Sequence, residues 1–182
     1  MKKRFSLSFL FDLVFSMRPL LLVPVWGFSA FGFWHASSAK SNEFTSLWQL
    51  NHLYEFAIMI TFSLSVGAVY ILNQIADLEV DKKNGGLPLL ASGIVPLKPA
   101  IAFTILLSVV SILIPLLLSL YSIAILSLLS ILTGFLYSFK PSFFSGRPFF
   151  DFLTNSVGYG FIAFAAGWSI GGKPVPSYEM IT

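Results

Sequence analysis

"NQIADLEVDKKNGG", Asn73 to Gly86, closes a long apolar run with an asparagine, three carboxylates and two lysines. Within it Asn73, Asp77 and Asp81 stand four residues apart. On an α-helix each such step turns by about 40° and climbs about 6 Å, so the three form one polar stripe, with Glu79 off it. One reading is a solvated helix end. That reading does not call for acids on a single face, and acids near a helix C-terminus oppose the macrodipole. The other reading is a site for a hard divalent cation. Mg²⁺ takes carboxylate oxygens, keeps waters and is commonly shared with substrate phosphates.

The surroundings of the stripe are membrane. Of 182 residues, 56% are hydrophobic and only 10% charged, with a mean hydropathy of +0.84. A soluble domain carries about a quarter charged residues. The chain therefore reads as an all-α integral membrane protein, and the alternation of a β-barrel is nowhere visible. Cysteine is absent, which excludes disulfides and thiolate metal sites.

Phe56 to Ala76 and Phe152 to Gly172 each run 21 residues without a charge. Each suits one crossing of a hydrocarbon core about 30 Å thick. Pro99 to Phe139 is uncharged for 41 residues, enough for two crossings. The expected turn lies near Ser119 to Ser122, with a kink at Pro115. A further span from Pro19 to about Trp34 brings the count to five transmembrane helices. The stretch "MKKRFSLSFLFDLVF" has the basic start of a signal peptide, but Asp12 and Arg18 interrupt its apolar part and no small-residue cleavage site follows. It reads as an amphipathic lead-in to the first helix.

Basic residues set the orientation. Five crossings place Lys2, Lys3, Arg4, Arg18, Lys82, Lys83, Lys98, Lys140 and Arg147 on one side, and Lys40 and Lys173 on the other. The positive-inside rule then puts the N-terminus in the cytoplasm. His35, Glu43, His52 and Glu55 fall outside, the two histidines as interfacial polar residues. The segment from His35 to Asn51 is the longest polar connection. The glycines at 158, 160, 167, 171 and 172 read as close-packing positions of the fifth helix.

The order of motifs along the chain resembles the UbiA-type intramembrane prenyltransferases. The Asn-x-x-x-Asp-x-x-x-Asp stripe, the short loop "NGGLPLLASG" and its Pro-x-x-x-Ser-Gly are similar to that family's first aspartate-rich motif. "MRPLLLVPVW" resembles its Arg-Pro opening of helix one, "LYSFKP" its Tyr-Ser-x-x-Pro motif, and "GRPFFDFLTNSVGYGFIAFAAGW" its following loop and fifth helix. Two positions depart from the pattern: Gln74 follows Asn73 where the family has Asp, and Leu87 precedes the loop proline where it has Arg. Lys82 or Lys83 could supply the missing cation.

The resemblance implies a bundle of about nine helices with a second aspartate-rich motif. Residues 1–182 are accordingly expected to be one transmembrane domain, the N-terminal part of a longer one, and inactive alone. The implied reaction is Mg²⁺-dependent transfer of a prenyl group from an allylic polyprenyl diphosphate to a lipophilic or aromatic acceptor. It would take place in a bacterial or archaeal plasma membrane, with no nucleic acid involved. Asn73, Asp77 and Asp81 are the implied catalytic residues, with Mg²⁺ on Asp77 and Asp81. Lys82, Lys83, Lys140 and Arg147 share the cytoplasmic side and could hold the diphosphate, although orientation alone also explains them. Tyr137 is either a cavity residue or part of an interfacial aromatic belt, and Asn155 either a cavity residue or an interhelical hydrogen-bond partner. Two other classes can carry such a stripe. A CDP-alcohol phosphotransferase would need Asp-Gly and Ala-Arg elements that the sequence lacks. A non-enzymatic protein, such as a transporter half or assembly subunit, would use the stripe to bind an ion.

Overall fold

The computed structural model describes residues 6–38, 52–85, 89–140, 142 and 144–175, and among these the chain is helical with no strand. Its elements are α1 (Leu7–Ser16), a 3₁₀ turn (Pro19–Leu21), α2 (Leu22–Ser38), α3 (Leu53–Ala76), α4 (Leu78–Lys83), α5 (Leu97–Leu117) and α6 (Tyr121–Ser138). A second 3₁₀ turn (Phe144–Gly146), α7 (Pro148–Asn155), a π-helical segment (Ser156–Ile162) and α8 (Ala163–Ile170) follow. Among the described residues, four stretches are long and apolar enough to cross a membrane: Leu7–Ser37, Leu53–Ala76, Leu97–Leu117 and Tyr121–Ser138. The segment expected as a fifth crossing is not among them. It is a composite of α7, the π segment and α8.

The first of these stretches is broken near its start, and the sequence says why. Pro19 has no amide hydrogen and disfavours right-handed helix at the residue before it. Arg18 leaves the right-handed region, although for a left-handed backbone (φ 51°, ψ 62°) and not the extended one a following proline favours, and α1 ends ahead of it. The carbonyls released by the break find partners on α3. Buried Gln74 donates Nε2 to the Ser16 carbonyl at 2.7 Å, and the Tyr70 hydroxyl donates to the Leu21 carbonyl at 2.8 Å. Gln74, a departure from the expected motif, thus fastens the lead-in helix.

The turn between α5 and α6 falls where the sequence places it. Ser119 adopts φ 59°. Its amide bonds the Leu116 carbonyl and the Leu120 amide bonds that of Pro115, at 3.0 and 2.8 Å. This paired closure satisfies the last carbonyls of α5. Pro115 lies in the final turn of that helix.

α2 packs along α8, while α3 packs on α5 and α6. Small residues allow the first pairing. A Cβ at Gly167 would fall on the Ser29 carbonyl, and one at Gly32 on that of Phe164. The Ser29 hydroxyl adds a bond to the Ala163 carbonyl at 2.9 Å. Such interhelical bonds average about 0.6 kcal/mol in membranes, so backbone fit decides this contact. Gly171, against Ala36, also packs closely, but the other three glycines correct the expectation. Gly158 and Gly160 have no atom within 4 Å of an added Cβ, and Gly172 sits in a turn at φ 78°. His35 likewise lies inside α2, among Phe31, Phe164 and Trp168, and not in the connection that follows it.

Candidate functional site

The stripe survives a break in its helix. α3 stops at Ala76, and Asp77 (φ −89°, ψ 2°) is both its last cap and the first cap of α4. Helical bonding nonetheless runs through the junction: the Asp77 amide bonds the Asn73 carbonyl at 2.9 Å and the Asp81 amide bonds that of Asp77 at 2.8 Å. The three side chains therefore keep one face. Asn73 Nδ2 donates to Asp77 Oδ2 at 3.0 Å.

Electrostatics separates the acids of this stretch. Partial burial pushes the Asp77 carboxyl above its ordinary range, and the neighbouring Asp81 charge pushes it further. The Asn73 hydrogen bond and the Arg18 guanidinium pull it back. Glu79 has the opposite situation: the hydrogen bond and charge of Lys82, 2.9 Å away, hold its carboxyl below the usual range. Glu79 is paired. Asp77 and Asp81 make no such ion pair among the described residues, and the charge of Asp81 reaches Asp77. No group of three metal-ligating side chains occurs among the described residues. Two carboxylates suit a cation that draws its remaining ligands from water or phosphate.

Beside Asn73 opens a cavity of about 180 Å³. Arg18 and Leu21 line it from the broken first helix, and Val66, Val69, Tyr70 and Asn73 from α3. α6 contributes Ser130, Thr133, Gly134 and Tyr137, while Thr154, Asn155 and Gly158 come from α7 and the π segment. Polar groups and one cation thus stand near the stripe, with valines and bare glycine backbone among them. The left-handed turn at Arg18 places that cation here; a helix continuing through residue 18 would carry it elsewhere.

Tyr137 and Asn155 share one partner. Asp151 Oδ1 accepts the Tyr137 hydroxyl at 2.8 Å and Asn155 Nδ2 at 2.9 Å. The structure therefore brings together Asn73, Tyr137 and Asn155 around the cavity, with Asp77 and Asp81 one and two turns beyond Asn73. Lys82 pairs with Glu79. Lys83, Lys140 and Arg147 are exposed and outside the cavity lining, Arg147 capping the start of α7.

A protein-family model, described as the UbiA prenyltransferase family, matches residues 25–180. The chain belongs to this family. A solved structure with the same fold is that of a UbiA homolog from Archaeoglobus fulgidus bound to DMAPP and Mg²⁺, with 22% sequence identity and a TM-score of 0.71. The likeness covers 91% of this chain and 56% of that one, so the chain spans little more than half the length of its structural neighbour. No curated protein matches by sequence.

Within this UbiA-family chain, two residues near the cavity escaped the reading of the sequence as site residues. Arg18 registered as an interruption of an apolar run, although "MRPLLLVPVW" carries the Arg-Pro step that turns it inward. Asp151 stood in the quoted loop motif, but its two partners lie four and fourteen residues away and only one of these spacings is helical.

Proposed function

We propose that the protein transfers a prenyl group from an allylic polyprenyl diphosphate to a lipophilic or aromatic acceptor within the membrane, with Mg²⁺ at Asp77 and Asp81. The observation that carries this reading is the Asp77 carboxylate, held by Asn73 and lying near the Asp81 charge, one turn beyond a cavity lined by Arg18, by hydroxyl and amide groups and by Leu21, Val66 and Val69. Membership of the UbiA family supports it, as does a neighbour of the same fold holding DMAPP and Mg²⁺.

Each group has a task in that reaction. An allylic diphosphate ionises only when the negative charge gathering on the departing diphosphate is stabilised. Mg²⁺, when bound, would neutralise diphosphate oxygens. Asp77 and Asp81 hold the cation, and Asn73 fixes the Asp77 carboxylate. Arg18 offers the diphosphate a planar set of donors. The apolar wall of Val66, Val69 and Leu21 excludes water from the allylic carbon, which would otherwise be captured as an alcohol. Lys83, Lys140 and Arg147 raise the local potential for an anion arriving from the cytoplasmic side.

Because residues 1–182 are expected to be inactive alone, the protein is co-expressed with a C-terminal half carrying a second aspartate-rich motif; these membranes, incubated with an allylic diphosphate labelled in its prenyl chain, should release label into a lipid-extractable product that is neither the diphosphate nor its alcohol. EDTA should stop this and Mg²⁺ restore it. Incorporation that is indifferent to EDTA, or seen equally in membranes lacking the protein, would contradict the reading.

A further inference from the structure

The Tyr137–Asp151–Asn155 cluster carries more than the proposed reaction needs for holding diphosphate. Its two donors line the cavity, whereas Asp151 lies behind them. A single oxygen accepts from both, at 2.8 and 2.9 Å. Tyr137 comes from the last turn of α6, and Asn155 and Asp151 from α7, so one carboxylate sets two cavity side chains on different elements. Its negative charge suits its place in the first turn of α7, behind Pro148 and Arg147.

The direction of the first bond has a chemical consequence. A carboxylate only accepts, so the phenol proton of Tyr137 is committed to Asp151. Towards the cavity the phenol oxygen can then act only as an acceptor. The carboxylate also enriches the ring in electron density by polarising the O–H bond. Both effects favour a nearby positive charge, as does the ring face itself.

We propose that Asp151 is a positioning residue for the ionisation step, acting through Tyr137. The inference rests on the function proposed above. In that step the bond between C1 and the diphosphate oxygen breaks, both electrons leave with the diphosphate, and the allylic carbons retain the positive charge. Tyr137, turned by Asp151, presents its acceptor oxygen and electron-rich ring to that charge. Asn155, anchored on the same carboxylate, keeps Asp151 from rotating away.

The test uses Asp151→Ala, Asp151→Asn, Tyr137→Phe and the Asp151→Ala/Tyr137→Phe double variant. Two quantities are measured on each, co-expressed with the C-terminal half described above: equilibrium binding of an allylic diphosphate with Mg²⁺, and kcat for transfer. Asp151→Ala and Tyr137→Phe should each lower kcat about tenfold with binding changed less than threefold. The double variant should also lose about tenfold, not a hundredfold, because both changes remove one interaction. Asp151→Asn keeps an accepting Oδ1 and should retain most of kcat. Should Asp151→Ala fail to insert, Asp151→Leu, of similar size and without an acceptor, takes its place in the cycle. Full additivity of the two losses would overturn the proposal, as would a fall in binding equal to the fall in kcat, the mark of a merely structural role. If the unaltered protein binds no allylic diphosphate with Mg²⁺, the functional reading fails and takes this inference with it; if it binds and turns over but Asp151→Ala is as active, the inference alone fails.

Discussion

The Asn73 amide holds the Asp77 carboxylate across one helical turn, Nδ2 to Oδ2 at 3.0 Å, at the residue where α3 ends and α4 begins. The bond counters part of the burial and repulsion that disfavour charge on Asp77, and it engages Oδ2. In the proposed reaction, Asn73 would orient a ligand for the cation without itself needing to be one. Partners of this kind typically contribute 10–100-fold to metal affinity. Asn73→Ala should weaken Mg²⁺-dependent diphosphate binding by about that factor and leave thermal stability in detergent nearly unchanged. Unaltered Mg²⁺ dependence would remove Asn73 from the site.

Arg18 allows binding to be separated from folding. Its left-handed backbone costs about 1 kcal/mol, which glycine would not incur. Arg18→Gly should therefore match or exceed the unaltered protein in stability while losing tenfold or more in diphosphate affinity. Arg18→Lys keeps the charge without the planar donors and should fall between. An Arg18→Gly variant that binds diphosphate normally would contradict the role given to this cation.

Two glycines of one helical segment should respond oppositely to enlargement. Gly158 lines the cavity and an added Cβ there meets no protein atom within 4 Å, whereas at Gly167 it would fall on the Ser29 backbone. Gly158→Leu should leave the melting temperature near that of the unaltered protein and lower affinity for longer prenyl chains more than for short ones. Gly167→Leu should destabilise by several kcal/mol, since backbone on α2 must move. Equal destabilisation by both would mean that Gly158 does not border open space.

Orientation is testable because the chain lacks cysteine. Single cysteines at Ser6 and Ser92 should be protected from an impermeant thiol reagent added outside, while one at Ser41 should react. External labelling at Ser92 would reverse the assignment drawn from the basic residues.

Much of this was readable from the chain. Periodicity four in Asn73, Asp77 and Asp81 placed the stripe on one face, and the uncharged run from Pro99 to Phe139 divided at Ser119. Both depend on local rules: helical geometry, and the length of chain a bilayer accepts. The unread parts depend on tertiary contact. Arg18 looked like an interruption because nothing local says that a left-handed residue before Pro19 turns its side chain into a cavity shared with α6 and α7. Asp151 was invisible for a similar reason, since its value lies in reaching Tyr137 from another helix. Gln74 seemed a departure from a motif until the Ser16 carbonyl appeared opposite it.

The claim at the centre is that Asp77 and Asp81, unlike Glu79, bind diphosphate through Mg²⁺. Equilibrium binding of a labelled allylic diphosphate, titrated with Mg²⁺, tests it directly on the purified protein and on Asp77→Asn, Asp81→Asn and Glu79→Gln. Loss of a ligand itself should cost at least the upper end of the 10–100-fold that losing a ligand's supporting partner costs in metal affinity, about a hundredfold. The predicted result is a loss of that size in both aspartate variants and less than threefold in Glu79→Gln. Equal losses in all three variants would point to general charge at the helix end, and unchanged binding in both aspartate variants would contradict the site.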